Sequence, residues 1–160
     1  ITKIANVIIY MIDKDVLHLN DKKLAVLLFL MEDAYLSKFD RKIFGDEYIK
    51  EKRHPHPKIL GDLFDIMAND LDLDEDDERL YLITELLDYV DIEVFNKKNF
   101  IELQFVKMDE EYDNSLFEKD ELQIIDEILE KYKDTTARNI ANVTFQNEKV
   151  RSSSIGEVII

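Results

Sequence analysis

No cysteine and no tryptophan occur in this chain of 160 residues, and breakers of regular structure are scarce, with 3 glycines and 2 prolines. The missing thiols exclude disulfides, thiolate nucleophiles and cysteine-based zinc sites. So few breakers predict long regular elements, mostly helices. No apolar run approaches the roughly 18 residues that a bilayer span needs. Ile4 to Ile12 is short and ends in Asp13-Lys14-Asp15. Positive charge is scarce too, with 21 Lys and Arg against 36 Asp and Glu and a net charge of −15. Such a surface repels phosphate backbones and anionic lipid, which disfavours nucleic-acid and membrane partners and leaves a basic protein partner compatible. A cytoplasmic protein is the expectation.

What is present is a foldable composition. At 46% hydrophobic residues, a chain of this length is one domain in size and buries roughly two-thirds of its unfolded surface. The expected class is mainly α (α+β), a compact helical domain with a small antiparallel sheet or hairpin. A single domain is expected over 1–160, with the tail 146–160 irregular or extended.

Periodicity places the elements. Ile4, Val7, Ile8, Met11 and Ile12 recur at helical spacing and predict a helix over 2–12. Asn20 or Asp21 can cap a helix over 22–38, apolar nearly all round and therefore the expected core helix. Gly45-Asp46 predicts a turn and 48–53 a short, half-exposed strand. Pro55 and Pro57 push His54 and His56 toward extended backbone, and Pro57 suits the start of a helix over 57–69. Gly61 within that helix costs about 1 kcal/mol against alanine and suggests a close helix contact. A helix over 76–90 follows. Ile92 and Val94, then Ile101, Leu103 and Phe105, alternate with polar residues and predict a hairpin closed by Asn96-Lys97-Lys98-Asn99, which the strand at 47–53 could join. Helices over 118–132 and 136–144 complete the series, the last capped by Thr135 or Thr136.

No set of residues forms a recognisable catalytic or metal site. Asp70-Leu-Asp-Leu-Asp-Glu-Asp-Asp-Glu78 holds seven acids, but an EF-hand counted from Asp70 would put Glu75 at the glycine position and Tyr81 at the bidentate glutamate position. It is read as a solvated helix start. His54 and His56 can share a face in extended backbone, yet a third ligand would have to come from His18 or from acids elsewhere, so no metal is expected. None of the five serines lies in a Gly-x-Ser-x-Gly elbow, and no phosphate loop or dinucleotide fingerprint occurs. Between Lys38 and Leu60 there are seven Lys/Arg and four Asp/Glu. This basic island either faces the protein's own acidic loops or forms a docking edge.

The order of helix, Gly-Asp turn, strand, X-Pro corner and helix resembles the Panacea (SocA-like) antitoxin-domain family. Leu27-Leu28-Phe29 with Glu32 fits that family's first helix, and Ile43-Phe44-Gly45-Asp46-Glu47-Tyr48-Ile49 fits its approach to the strand. Pro55 and Pro57 fit the corner, Phe117 to Tyr132 the late helix, and Thr136-Ala137 with Ile140 to Thr144 the last one. The likeness covers roughly residues 3–150 and is poorest over 70–108. Departures fall on His54 in place of glycine, His56 in place of valine, Lys50 in place of alanine, Glu51 in place of Trp or Met, Lys133 in place of glycine and Phe145 in place of histidine.

The resemblance implies a bacterial or prophage antitoxin that binds and neutralises a cognate toxin encoded beside it, in some members as an adaptor to a cytosolic protease, with no catalysis and no cofactor. If the contact patch includes the corner, Tyr48, Glu51, Arg53, His54, Pro55 and His56 are its expected residues. Corner histidines would make binding sensitive to pH near the usual imidazole range. The alternatives are an interaction or scaffold protein of a phage or mobile element without a toxin partner, and a metal-assisted enzyme using His54 and His56.

Overall fold

The architecture follows from the central apolar helix. A computed structural model describes residues 1–160 and shows seven helices and two antiparallel two-stranded sheets. Helices α1 (Thr2–Asp13) and α2 (Asp21–Phe39) lead into β1 (Tyr48–Ile49), β2 (His56–Pro57) and α3 (Lys58–Ala68). Then come α4 (Glu78–Tyr89), the hairpin β3 (Val90–Asn96) and β4 (Ile101–Lys107), and α5 (Lys119–Tyr132), α6 (Ala137–Thr144) and α7 (Glu148–Ser152). Leu24, Val26, Leu27, Leu28, Phe29 and Met31 of α2 are buried all round it. A helix apolar on every side must be enclosed, and α2 is packed by α5, α6, β2 and β4.

Local chemistry sets the ends. The Asn20 side chain caps α2 by accepting from the Lys23 N–H at 2.8 Å, and Asp40 closes that helix in the left-handed conformation at φ 57°. Thr136 caps α6. Asp77 caps α4, so the acidic run ends as a helix start, and the Arg79 guanidinium beside Asp77 holds its carboxyl at about 2. Glu118 and Glu121 form a capping box on α5, and Glu121 also binds Lys3 of α1 at 3.0 Å.

Three features differ from the sequence-based expectation. The strand at 48–53 contracts to Tyr48–Ile49, and it joins β2 rather than the hairpin. Its other edge is taken by the tail, so nothing is left for the hairpin to pair. The Tyr48 N–H donates to the Ile160 carbonyl at 2.9 Å, the Ile159 N–H to the Tyr48 carbonyl at 2.7 Å, and the Lys50 N–H to the Glu157 carbonyl at 2.8 Å. The tail is therefore ordered by backbone pairing, and it also contains α7, whose N-terminus Asn147 caps. Third, Gly61 faces an imidazole and not another helix, as described below.

One charge is enclosed by this packing. Lys23 is fully buried, and its Nζ donates to the carbonyls of Leu17 at 2.6 Å and Lys133 at 3.0 Å. Burial lowers its pKa to about 8, with Asp134 opposing the shift. A depressed folded-state value means that the unfolded chain holds this proton more tightly. The Lys23 contribution to stability is therefore present above the ordinary lysine range and lost as pH falls through 8. Denaturant unfolding of the native chain and of Lys23→Met at pH 7 and pH 9.5 should show the native chain gaining about 2 kcal/mol relative to the variant at the higher pH.

Candidate functional site

The corner between α2 and α3 is held by two carboxylates. Glu32, fully buried on α2, accepts from the backbone N–H groups of Ile43 at 2.6 Å, Phe44 at 3.0 Å and Gly45 at 3.0 Å. Burial raises this carboxyl above its ordinary value, opposed by the three N–H groups and by Lys42. Gly45 takes φ 89°, a conformation that other residues rarely adopt, and this turns the chain so that Asp46 points inward. Asp46 then accepts from Glu47 at 2.8 Å and, across the corner, from the free N–H groups of Ile59 at 3.0 Å and Leu60 at 3.1 Å in the first turn of α3. Pro57 contributes no side-chain cap, so Asp46 does that work from thirteen and fourteen residues upstream.

Within this frame the six expected residues separate. Tyr48 is core, 1% exposed, with its ring edge-on to Phe29 at 5.5 Å, and Pro55 is also buried. A partner cannot reach either side chain in this conformation, so both leave the accessible set. Glu51, Lys52 and Arg53 form the exposed tip, and none of them makes an ion pair or a side-chain hydrogen bond within the chain. The rest of the basic island is mostly engaged internally. Arg41 faces Asp120, Lys42 donates to the Asp46 carbonyl, and Lys50 donates to the Val150 and Ser153 carbonyls.

His54 and His56 are half-buried and line one cleft of about 410 Å³. His54 Nδ1 lies 2.9 Å from the Pro55 carbonyl, which places its proton on that nitrogen. Burial lowers the His54 pKa, against the pull of that carbonyl, and His56 and Lys22 lower it further. Any charge switch at His54 therefore moves to the acid side of the usual imidazole range. The His56 ring sits where a side chain on residue 61 would be, since a Cβ on Gly61 would stand 2.2 Å from its Cε1. The cleft also brings in residues that the sequence reading passed over: Asp21 and Lys22 of α2, Asp65 of α3, and Phe100 at the hairpin tip. Asp62 approaches from the rim, 3.9 Å from His56 Nε2. The three-residue spacing of Asp62 and Asp65 after the corner was a usable signal for one shared helix face.

Two substitutions test the frame. Glu32→Ala leaves three N–H groups without their acceptor, and equilibrium unfolding should show a loss of about 3–5 kcal/mol. Asp46→Ala removes the α3 cap together with the Glu47 hydrogen bond and should cost about 1–2 kcal/mol, with faster amide exchange at Ile59 and Leu60.

The profile of the family described as Antitoxin SocA-like, Panacea domain matches residues 24–149. No curated protein and no solved structure matches the chain significantly. The matched span runs from the first turn of α2 into α7, so it contains Glu32, the Gly45-Asp46 turn, the corner, the hairpin, α5 and α6. On that match, which covers well over half its length, the chain belongs to the SocA-like antitoxin family and carries the Panacea domain.

Proposed function

We propose that this protein is an antitoxin that binds a toxin protein and neutralises it by covering its working surface, without a reaction of its own. Family membership over residues 24–149 carries the reading. No helix is long and apolar enough to cross a membrane, which fits a partner met in the cytoplasm.

The corner is the contact surface that we assign. Glu51 and Arg53 stand on an exposed tip whose base is pinned by Asp46, by β2 and by the tail. A loop already fixed in place loses little conformational entropy on binding. Lys52 and Arg53 give the tip a positive face on a body of net charge −15, so an acidic patch on the toxin would be steered to it. His54 and His56 extend the surface into the cleft. As an adaptor, the protein would hold the toxin on this surface while a cytosolic protease engages the complex elsewhere.

Co-purification and growth rescue with the product of the neighbouring gene test both levels. The quadruple variant Glu51→Ala, Arg53→Ala, His54→Ala, His56→Ala should bind the toxin at least about tenfold more weakly, equivalent to about 1.4 kcal/mol. Full-strength binding by that variant overturns the surface assignment. Failure of every neighbouring gene product to bind or to be neutralised overturns the function. Toxin that persists equally with and without the antitoxin in growing cells removes the adaptor role.

A further inference from the structure

We propose that His56, Asp62 and Asp65 form a binding site for a first-row transition-metal dication of the zinc type. This goes beyond the antitoxin reading and does not rest on it. One ligand atom from each of the three side chains lies within 4.8 Å of the others. His56 Nε2 and Asp62 Oδ1 are 3.9 Å apart, too far for a hydrogen bond. Two ligands at about 2.0–2.2 Å from one tetrahedral cation stand about 3.3–3.6 Å apart, so the pair needs to close by only a few tenths of an ångström. Asp62 is exposed, and its side chain is free to make that movement.

The backbone brings these groups together. Asp62 and Asp65 are one turn apart on α3 and share a face. His56 reaches that face from β2, and its ring lies over Gly61, where any side chain would displace it. The Arg79 guanidinium acts on Asp62 from a distance but is paired with Asp77. Neither Asp62 nor Asp65 pairs with a lysine or arginine within ion-pair distance. The nearby Lys22 is occupied, since its Nζ donates to the Ile101 carbonyl at 3.1 Å and lies 4.5 Å from the Phe100 ring centroid. Asp21 accepts from the Leu103 N–H at 3.1 Å.

Donor chemistry selects the ion. One imidazole and two carboxylates suit zinc and its neighbours. Magnesium prefers oxygen ligands and retains its waters, and calcium needs six or more oxygens. Three protein ligands leave at least one coordination position for water or another ligand. A bound ion would clip the corner strand to α3 beside Asp46, and it would stabilise the fold by mass action. His54 lines the same cleft but is not among the three ligands.

Calorimetric titration of the full chain with zinc chloride, and separately with magnesium chloride, tests the site. Zinc should bind with one-to-one stoichiometry, raise the melting temperature, and outcompete magnesium. His56→Gln should lower the zinc affinity at least about tenfold. The double variant Asp62→Asn, Asp65→Asn should do the same, and because both positions are exposed it keeps the test valid if His56→Gln folds poorly. Asp74→Asn with Asp76→Asn, in the acidic loop before α4, should leave the affinity unchanged. Absence of zinc binding overturns the proposal. So does zinc affinity equal to that of magnesium, or affinity retained in the double variant, since the ion would then be held by the general acidic surface.

Discussion

The corner depends on a carboxylate with no solvent around it. Glu32 sits in the middle of the core helix, where an isolated charge would be expensive, and it is tolerated because three backbone N–H groups converge on it. Those N–H groups belong to a loop with no regular ladder, so they would otherwise be unsatisfied near the core. Helix and loop each resolve the other's polar problem. The result is a fixed relation between α2 and residue 45, from which Asp46 is aimed at the start of α3. Two carboxylates in series thus set the angle between two helices and the position of everything in between.

That arrangement separates residues with a fixed backbone task from neighbours without one. Glu32, Gly45 and Asp46 each have a backbone task that few other residues could perform. Gly45 needs its positive φ, and the two acids need their oxygens. His54, His56 and Glu51 occupy positions where the backbone is already held by others. His56 illustrates the freedom. Its ring takes the space above Gly61, a space left by a missing side chain in the next element. A frame built from main-chain hydrogen bonds lets the tip and the cleft vary in chemistry while the path of the chain stays the same.

Most of the helices could be read from periodicity, because an apolar stripe at helical spacing has few other uses. Asn20 and Thr136 also cap where their types predict. The small sheet departs from its sequence pattern for a physical reason. A strand's partner is set by which edge is nearest in three dimensions, and two residues of alternation do not specify it. Val158-Ile159-Ile160 is β-prone, yet nothing local shows that it lies along Tyr48, more than a hundred positions away. The site was partly legible. The corner was visible from its prolines, and the exposure of Glu51 and Arg53 follows from their charge. The burial of Tyr48 and Pro55 was not visible, because a half-exposed strand and a strand covered on both edges share one sequence pattern. Asp62 and Asp65 are two among many acids in the chain, so their shared helix face gains meaning only from the position of His56.

Charge gives the corner its last property. With −15 on the whole chain, any approaching acidic surface is repelled over most of its possible orientations. The repulsion weakens only where free cations project, and Lys52 and Arg53 project at the tip while Arg41, Lys42 and Lys50 are spent on internal partners. Exposed Lys98, Lys119, Arg138 and Arg151 are unpaired too, so the tip is set apart by two adjacent free cations and not by being the sole positive site. Few positive charges suffice, because orientation depends on contrast with the rest of the surface and not on the absolute number. Screening over roughly 8 Å at physiological salt limits this guidance to the final approach. There the rigid base matters most, because a tip held by Asp46 and by the tail presents its charges in one place rather than averaging them over many.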